Sequence, residues 1–368
     1  MTGPQAGQPR DTASPPAGAA HAQRAGECAG EVLAAAVRDG VTPGAVFAAG
    51  DADDASVVVA GDAQVSGGPR RPMHRDTLFD LASLTKVVGT LPVILQLAEL
   101  GELALEDRVS VILPRFRGEG REVVTVRQLL AHTGGLPAEI KFWQLYPDVE
   151  EATEALFTAP LEAPPGRRVI YSDLGFMLLG RVAEAVTGRP LDACVAELVT
   201  EPLGMARTGF RPEGEAAWEA AATELQPDGT AIVGVVHDEN AQFFGGVSGH
   251  AGLFAPAADL ACYLNGAWLS GQLLSAATRA EATRLQTEGS GGRRGLGWVL
   301  RGDQQDALGR YWPDSSITHT GFTGTSLACD PASGAWAVLL TNDVHFGRGR
   351  GVIRGVRESV HDCCAPGR

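Results

Sequence analysis

The chain of 368 residues is poor in lysine: Lys86 and Lys141 are its two lysines, and every other basic residue is arginine. Acidic residues outnumber basic ones by 44 to 30, which gives a net charge of −14. Nucleic acids and anionic membrane surfaces are bound by positively charged proteins, so we expect neither as a partner. Hydrophobic residues make up 44% of the chain, which is ample apolar material for a globular core.

Long apolar runs and cysteine motifs are also missing. No stretch reaches the roughly 18 apolar residues of a membrane span. Residues 1–26 lack the basic start and apolar stretch of a signal peptide, so we interpret them as a disordered leader on a cytoplasmic protein. The six cysteines show no C-x-x-C spacing, and adjacent Cys363 and Cys364 do not bridge easily. We therefore expect reduced thiols, no metal site and no cofactor.

The order of secondary-structure patterns predicts the fold class. Strands are expected near both ends of the chain, and helices dominate the middle. We predict an α/β (α+β) fold in which residues 27–84 and 290–368 form one antiparallel sheet flanked by terminal helices. An inserted, mostly helical region, 85–289, completes a single domain. The predicted strands are 44–50, 56–60, 297–300, 316–320, 325–330 and 335–340, and the main predicted helices are 27–37, 85–100, 172–186, 190–199, 256–268 and 351–360.

Ser83-Leu-Thr-Lys86 is the strongest local signal for chemistry. Serine is a poor nucleophile unless a neighbouring group activates it. Positions i and i+3 of a helix share a face, so Lys86 can reach the Ser83 hydroxyl. The apolar segment 78–82 leads directly into the serine, as a strand would.

Tyr171-Ser-Asp173 stands at the head of a predicted helix. A tyrosine beside a lysine can act as a proton shuttle, and Asp173 can pair with Lys86. The alternative is structural: Ser172 or Asp173 caps the helix and Tyr171 packs beneath it.

Three segments contain histidine near glycine or acid. His319-Thr320-Gly321 lies on a predicted strand beside Phe322, where a glycine-rich edge allows a substrate to approach closely. His132–Gly134 is interpreted as a helix C-cap. Segment 237–252 is interpreted as a hydrogen-bonded loop, since its spacing does not suit a metal.

Ser83-x-x-Lys86, Tyr171-x-Asp173 and His319-Thr-Gly321, in this order, resemble the serine β-lactamase-like superfamily, in particular its branch of class C β-lactamases, DD-peptidases, esterases and transacylases. The resemblance spans about residues 27–365. It implies a catalytic cleft between a sheet region and a helical region. It also implies that Ser83 is acylated, that Lys86 activates it, and that Tyr171 is the general base and acid.

The same resemblance implies the substrate-binding residues. His319, Thr320 and Gly321 would line the strand side of the pocket, and the N–H groups of Ser83 and Phe322 would form the oxyanion hole. Asp173 would contact substrate, although many members have Asn there; an ionised carboxylate cannot donate to an amide carbonyl. His319 replaces a lysine of many members and is mostly neutral at pH 7.

We therefore expect a serine acyl-transfer enzyme that passes an acyl group from a small-molecule ester or amide to water, an amine or an alcohol. An esterase or transacylase is preferred, because no export signal is visible. A β-lactamase or D-Ala-D-Ala carboxypeptidase is the alternative. A non-catalytic ligand-binding module on the same fold is a third reading. Whether Lys86 is a charged partner of Asp173 or a neutral base for Ser83 stays open.

Overall fold

The structure is a computed structural model that describes residues 17–51 and 54–366, with side chains from residue 22 onward. Its strands form two antiparallel sheets. The strands are β1 Gly44–Gly50, β2 Ala55–Gln64, β3 Arg71–Pro72, β4 Phe79–Asp80, β5 Gly209–Phe210, β6 Leu253–Ala255, β7 Val299–Leu300, β8 Ile317–Thr320, β9 Ser326–Cys329 and β10 Trp336–Thr341.

Helices are the main regular secondary structure between β4 and β7. The α-helices are α1 Ala17–Arg38, α2 Leu91–Glu99, α3 Val109–Ile112, α4 Val126–Leu130, α5 Phe142–Leu145, α6 Val149–Phe157, α7 Asp173–Thr187, α8 Leu191–Val195, α9 Gly214–Glu219, α10 Glu239–Phe243, α11 Ala257–Tyr263, α12 Ala276–Thr283 and α13 Ile353–Cys363. Lys86–Thr90, Ala196–Thr200 and Leu264–Leu269 are π-helical, and Arg121–Val123 and Asp343–Phe346 are 3₁₀ turns. None of the helices in the described part of the chain has the length and apolar composition that a membrane crossing requires.

The larger sheet joins the two ends of the chain. In the described residues its strand order is β3-β2-β1-β10-β9-β8-β7, and every pairing is antiparallel. Small and branched residues of β1 lie opposite β10, with Phe47 facing Leu339. The predicted fold class is confirmed. The division into residues 27–84 with 290–368 and residues 85–289 stays a prediction, and the small sheet β4-β6-β5 brings two strands into the second segment.

Alternate residues of the central strands enter two hydrophobic cores. Val46 and Val338 belong to the core shared with the helical region. Phe47 and Leu339 belong to the core under α1 and α13. Successive side chains of a strand point to opposite faces, so helices must cover both faces of this sheet. Full burial of a side chain such as Phe47 contributes about 1.5–3 kcal/mol.

Two expectations about the chain ends are wrong. Residues 17–26, predicted to be disordered, are the start of α1, because this alanine-rich stretch has high helix propensity and Ala25 joins the hydrophobic core under α1 and α13. Residues 1–16 of the predicted leader lie outside the described residues. The thiols of Cys28 and Cys363, expected to be reduced, form a disulfide across 335 residues of sequence. Sequence spacing does not reveal this pair, since only the packing of α1 against α13 brings it together.

Candidate active site

Ser83 follows a strained turn at the end of β4. Ala82 has a φ of +46°, which is rare for a residue with a side chain. Its N–H donates to Asp80 Oδ1 at 2.8 Å, and the Leu81 N–H donates to the Leu253 carbonyl of β6 at 2.9 Å. The small sheet and the buried Asp80 therefore hold the turn that presents the Ser83 hydroxyl.

Lys86 lies one turn after the serine and is fully buried. Its Nζ atom is 3.1 Å from Ser83 Oγ, 3.1 Å from the His250 carbonyl oxygen and 2.7 Å from Asp173 Oδ1. Burial alone lowers the pKa of Lys86. Asp173 and Tyr171 raise it by more than burial lowers it, so the pKa of Lys86 lies above the ordinary lysine value. Lys86 is therefore an ammonium ion at neutral pH and the charged partner of Asp173.

Tyr171 stands immediately before α7, and the helix start positions it. The Ser172 hydroxyl accepts from Gly175 N–H at 3.3 Å, so Ser172 is the N-cap. Tyr171 lines the same cavity as Ser83, and its ring lies 5.1 Å from Lys86 Nζ. The helix-capping interpretation thus holds for Ser172, while Tyr171 faces the serine's cavity.

His319 occupies the edge of this cavity on β8. Its Nδ1 lies 3.0 Å from the Thr320 carbonyl, an acceptor, so Nδ1 carries the proton. Burial, with the positive charges of Lys86 and Arg294, lowers the pKa of His319 to about 3. The ring is therefore neutral at pH 7, as the sequence predicts, and Nε2 has no hydrogen-bond partner among the described residues.

The loop after β8 closes the strand side of the site. Thr320, Gly321 and Phe322 line the cavity of about 410 Å³ together with Ser83 and Tyr171. A Cβ atom on Gly321 would lie 2.5 Å from the Leu81 carbonyl oxygen and 2.1 Å from a threonine hydroxyl, so only glycine fits there. The close approach of this loop to the serine turn puts its backbone beside Ser83.

Comparisons with known proteins agree with this arrangement. A family model described as Beta-lactamase matches residues 31–360. The chain belongs to the beta-lactamase family. Over 304 residues it is 35% identical to a protein of Escherichia coli strain K12 named "Putative D-alanyl-D-alanine carboxypeptidase", covering 73% of this chain and 70% of that protein.

Solved structures extend the comparison. The chain resembles "EstCE1, a hydrolase with promiscuous acyltransferase activity" with a TM-score of 0.73 and 25% identity, covering 92% of this chain and all of the other. A class C beta-lactamase from Rhodobacter sphaeroides has the same fold, with a TM-score of 0.73, 20% identity, and coverage of 91% of this chain and 98% of that one. This member of the beta-lactamase family is a serine hydrolase or acyltransferase.

The sequence predicts His132 only as a helix cap, but in this beta-lactamase family site it also contacts the segment that carries Tyr171. It has a φ of +57°, and its Nδ1 accepts the Ser172 N–H at 3.1 Å. Its ring centroid is 4.6 Å from that of Tyr171. Burial, then the charges of Arg294, Lys86 and His319, lower its pKa well below the ordinary value, so it supports Tyr171 as a neutral ring. Only the fold shows this, because His132 and Tyr171 lie far apart in sequence.

Segment 237–252 is hydrogen-bonded, as predicted, and it also contacts the buried Lys86 side chain. His250 Nε2 lies 3.0 Å from Asp238 Oδ1, while the His250 carbonyl accepts from Lys86. Burial raises the pKa of Asp238, but His250 and the Ala241 N–H outweigh it, and the pKa falls below its ordinary range.

Asp173, Asp238 and His250 bring three possible metal ligands within 4.8 Å of one another. Lys86 Nζ contacts two of these residues, Asp173 by its carboxylate and His250 by its carbonyl. An ammonium ion therefore already supplies the positive charge that this group of acids attracts.

Proposed function

We propose that the protein is an esterase or transacylase that forms an acyl-enzyme on Ser83 and passes the acyl group to water, an alcohol or an amine. The observation that carries this proposal is the ion pair of Lys86 and Asp173 at 2.7 Å, beside a serine that opens into a cavity. In this ion pair Lys86 supplies a fixed positive charge beside the nucleophile, and the Asp173 carboxylate is already bound to Lys86.

The proposed reaction moves one proton through Tyr171. In its phenolate form Tyr171 takes the proton of the Ser83 hydroxyl as Oγ attacks the acyl carbon. The Lys86 ammonium, 3.1 Å from Oγ, stabilises the negative charge on the serine oxygen. The N–H groups of Ser83 and Phe322 bind the oxyanion of the tetrahedral intermediate. Tyr171 then gives its proton to the leaving group, and the same steps in reverse order transfer the acyl group to the acceptor.

The preference for esters follows from two side chains. The carboxylate of Asp173 has no proton to donate to an amide carbonyl, and it is engaged by Lys86. His319 is neutral, so it is not a fixed positive charge for a substrate carboxylate. A small ester requires neither interaction.

A D-Ala-D-Ala carboxypeptidase is the second candidate, and a different part of the cavity favours it. Four arginines also line the cavity: Arg348, Arg350, Arg354 and Arg357. A peptide carboxylate is recognised by arginine. The relative named "Putative D-alanyl-D-alanine carboxypeptidase", at 35% identity, supports the same candidate.

The first experiment tests acylation. A fluorophosphonate probe should add one adduct to the protein by intact mass, and Ser83→Ala should add none. Labelling that persists in Ser83→Ala contradicts the assignment of the nucleophile. A stable acyl adduct with no turnover on any donor would favour the ligand-binding alternative.

The second experiment separates the two candidate reactions. We expect hydrolysis of p-nitrophenyl butyrate and, with added amines or alcohols, condensed product. A diacetyl-Lys-D-Ala-D-Ala peptide should be a poor substrate, and so should a chromogenic cephalosporin. Rapid release of D-alanine or cephalosporin hydrolysis, with inert esters, would reverse the preference.

The cytoplasmic location stays a prediction. The Cys28–Cys363 disulfide is of a kind more common in oxidising compartments, so it stands against that prediction. Cell fractionation, with thiol alkylation before lysis, tests it: a cytoplasmic protein with both thiols alkylated agrees with the prediction, and a disulfide-bonded protein outside the cytoplasm contradicts it.

A further inference from the structure

Arg294 is a buried cation behind Tyr171. It follows α12 and is 3% exposed. Its Cζ atom lies 5.9 Å from the centroid of the Tyr171 ring. The segment that carries it is joined to the segment before the tyrosine, since Val169 N–H donates to the Ser290 carbonyl at 2.9 Å. This backbone contact keeps the segment that carries Arg294 close to the segment that carries the proposed general base.

Arg294 is paired with one buried carboxylate, that of Asp303, but its hydrogen-bonding positions are only partly used. Nη2 donates to Asp303 Oδ1 at 3.1 Å and to the neutral amide oxygen of Gln305 at 2.7 Å. Nε and Nη1 have no acceptor among the described residues. Burying a guanidinium with two unpaired N–H positions costs folding free energy, so we expect an interaction that compensates for it.

The other charged and titratable groups around Tyr171 come from three elements. Lys86 approaches from the helix after Ser83, and its charge is paired with Asp173 at 2.7 Å. His132 packs on one side of the tyrosine ring and His319 lies 6.1 Å away on β8. Arg294 is the second cation within 6 Å of this ring in the described part of the chain.

We propose that Arg294 is a positioning residue for acyl transfer: its buried guanidinium, 5.9 Å from the centroid of the Tyr171 ring, favours the phenolate of Tyr171. This rests on the proposed role of Tyr171 as general base. After burial, Arg294 is among the causes that lower the pKa of His132 and of His319, which agrees with a cation that disfavours additional protons at the site. The negative charge that forms on Tyr171 in each catalytic cycle is the compensating interaction.

The test measures the rate at which a fluorophosphonate labels Ser83 as a function of pH. Arg294→Met removes the charge, and Arg294→Gln removes it while keeping a hydrogen-bonding side chain. Without the positive charge the Tyr171 phenolate is less favourable, so we expect the acidic limb of the rate–pH profile to shift to higher pH by about one unit. That shift corresponds to about a tenfold loss of rate on this limb. Arg294→Lys should restore most of the rate.

Arg293→Met is the matched control, because Arg293 is the adjacent arginine and is exposed. We expect its profile to coincide with that of the parent protein. In a Tyr171→Phe background, Arg294→Gln should cause no further shift of the limb, whereas a purely structural role would lower the residual rate at every pH.

Three outcomes contradict the proposal. The profiles of the Arg294 variants coincide with that of Arg293→Met, or they fall uniformly at all pH values with no shift of the limb, or Arg294→Lys behaves like Arg294→Met. If the parent protein is not labelled at Ser83, the proposed function fails and this inference fails with it. Labelling of the parent with coincident variant profiles overturns the inference alone.

Discussion

Lys86 shows how one neighbour sets the charge of a buried side chain. Burial alone lowers the pKa of a lysine, and the carboxylate of Asp173 at 2.7 Å is the main reason that this pKa is raised instead. The sequence places Lys86 within reach of Ser83 through i, i+3 spacing, but it leaves the protonation state open. The ion pair with Asp173 favours the ammonium ion.

Asp173→Asn should therefore change the pH dependence of the reaction. The pKa of Lys86 falls when the carboxylate is removed, so Lys86 loses its proton within the working range and the alkaline limb moves to lower pH. We expect kcat/KM on p-nitrophenyl butyrate to fall about tenfold or more at pH 8. Asp228→Asn, at an exposed loop, is the control. An Asp173→Asn variant as fast as the parent at pH 8 would instead support a neutral lysine base.

At the scale of elements, the close fit of the loop after β8 against the serine turn is testable. Gly321→Ala introduces a methyl group into contact with the Leu81 carbonyl, so the loop must move away from Ser83. We expect kcat/KM to fall about 10–100-fold, while the fold persists, because oxyanion binding requires exact donor placement. Gly355→Ala in α13 meets no atom within 4 Å and serves as control; it should keep full activity. An active Gly321→Ala enzyme would contradict the proposed oxyanion hole.

The disulfide is the covalent link between α1 and α13. Because it closes a loop of 335 residues, Cys28→Ser should lower the free energy of unfolding by about 2–5 kcal/mol. Urea unfolding with and without reductant measures this effect. Cys262→Ser removes an exposed free cysteine and should change nothing. Equal stability of the oxidised and reduced protein would show that helix packing alone holds the two ends.

Elements with strong local signals are predictable from the sequence, and long-range partners are not. The strand at 44–50 has the small and branched residues of a buried strand, and the helix at 173–187 has apolar periodicity and the capping residue Ser172. The partners of His132, His250 and Arg294 come from segments that are distant in sequence. Their roles depend on tertiary packing, which periodicity does not encode.

At the scale of the whole molecule, several histidines are buried in the neutral form. The pKa of His319 is lowered to about 3 and that of His361 to about 4, in both cases chiefly by burial, and that of His132 is lowered well below its ordinary value. An unfolded histidine titrates near pH 6.5, so the unfolded chain binds more protons below that pH. The stability contribution is complete above about pH 6.5 and is lost as the pH falls.

We expect the free energy of unfolding to fall by about 1.4 kcal/mol per pH unit for each of these histidines between about pH 6 and pH 4.5. Urea unfolding at pH 7.5, 6 and 5 measures the slope. His361→Gln should reduce the slope of unfolding free energy against pH, since the new side chain does not titrate. His74→Gln, at an exposed position, should leave the slope unchanged. A slope of zero or of opposite sign would contradict the assignment of neutral buried histidines.

The arrangement of the large sheet has a consequence for synthesis of the chain on the ribosome. β1 pairs with β2 on one side, which the ribosome delivers within a few residues, and with β10 on the other, which comes only after the whole helical region. During translation the second edge of β1 therefore has open hydrogen-bonding groups, and such edges are templates for aggregation. The nascent protein passes through its most vulnerable period while residues 85–289 are being made, and it becomes protected only when residues 336–341 emerge.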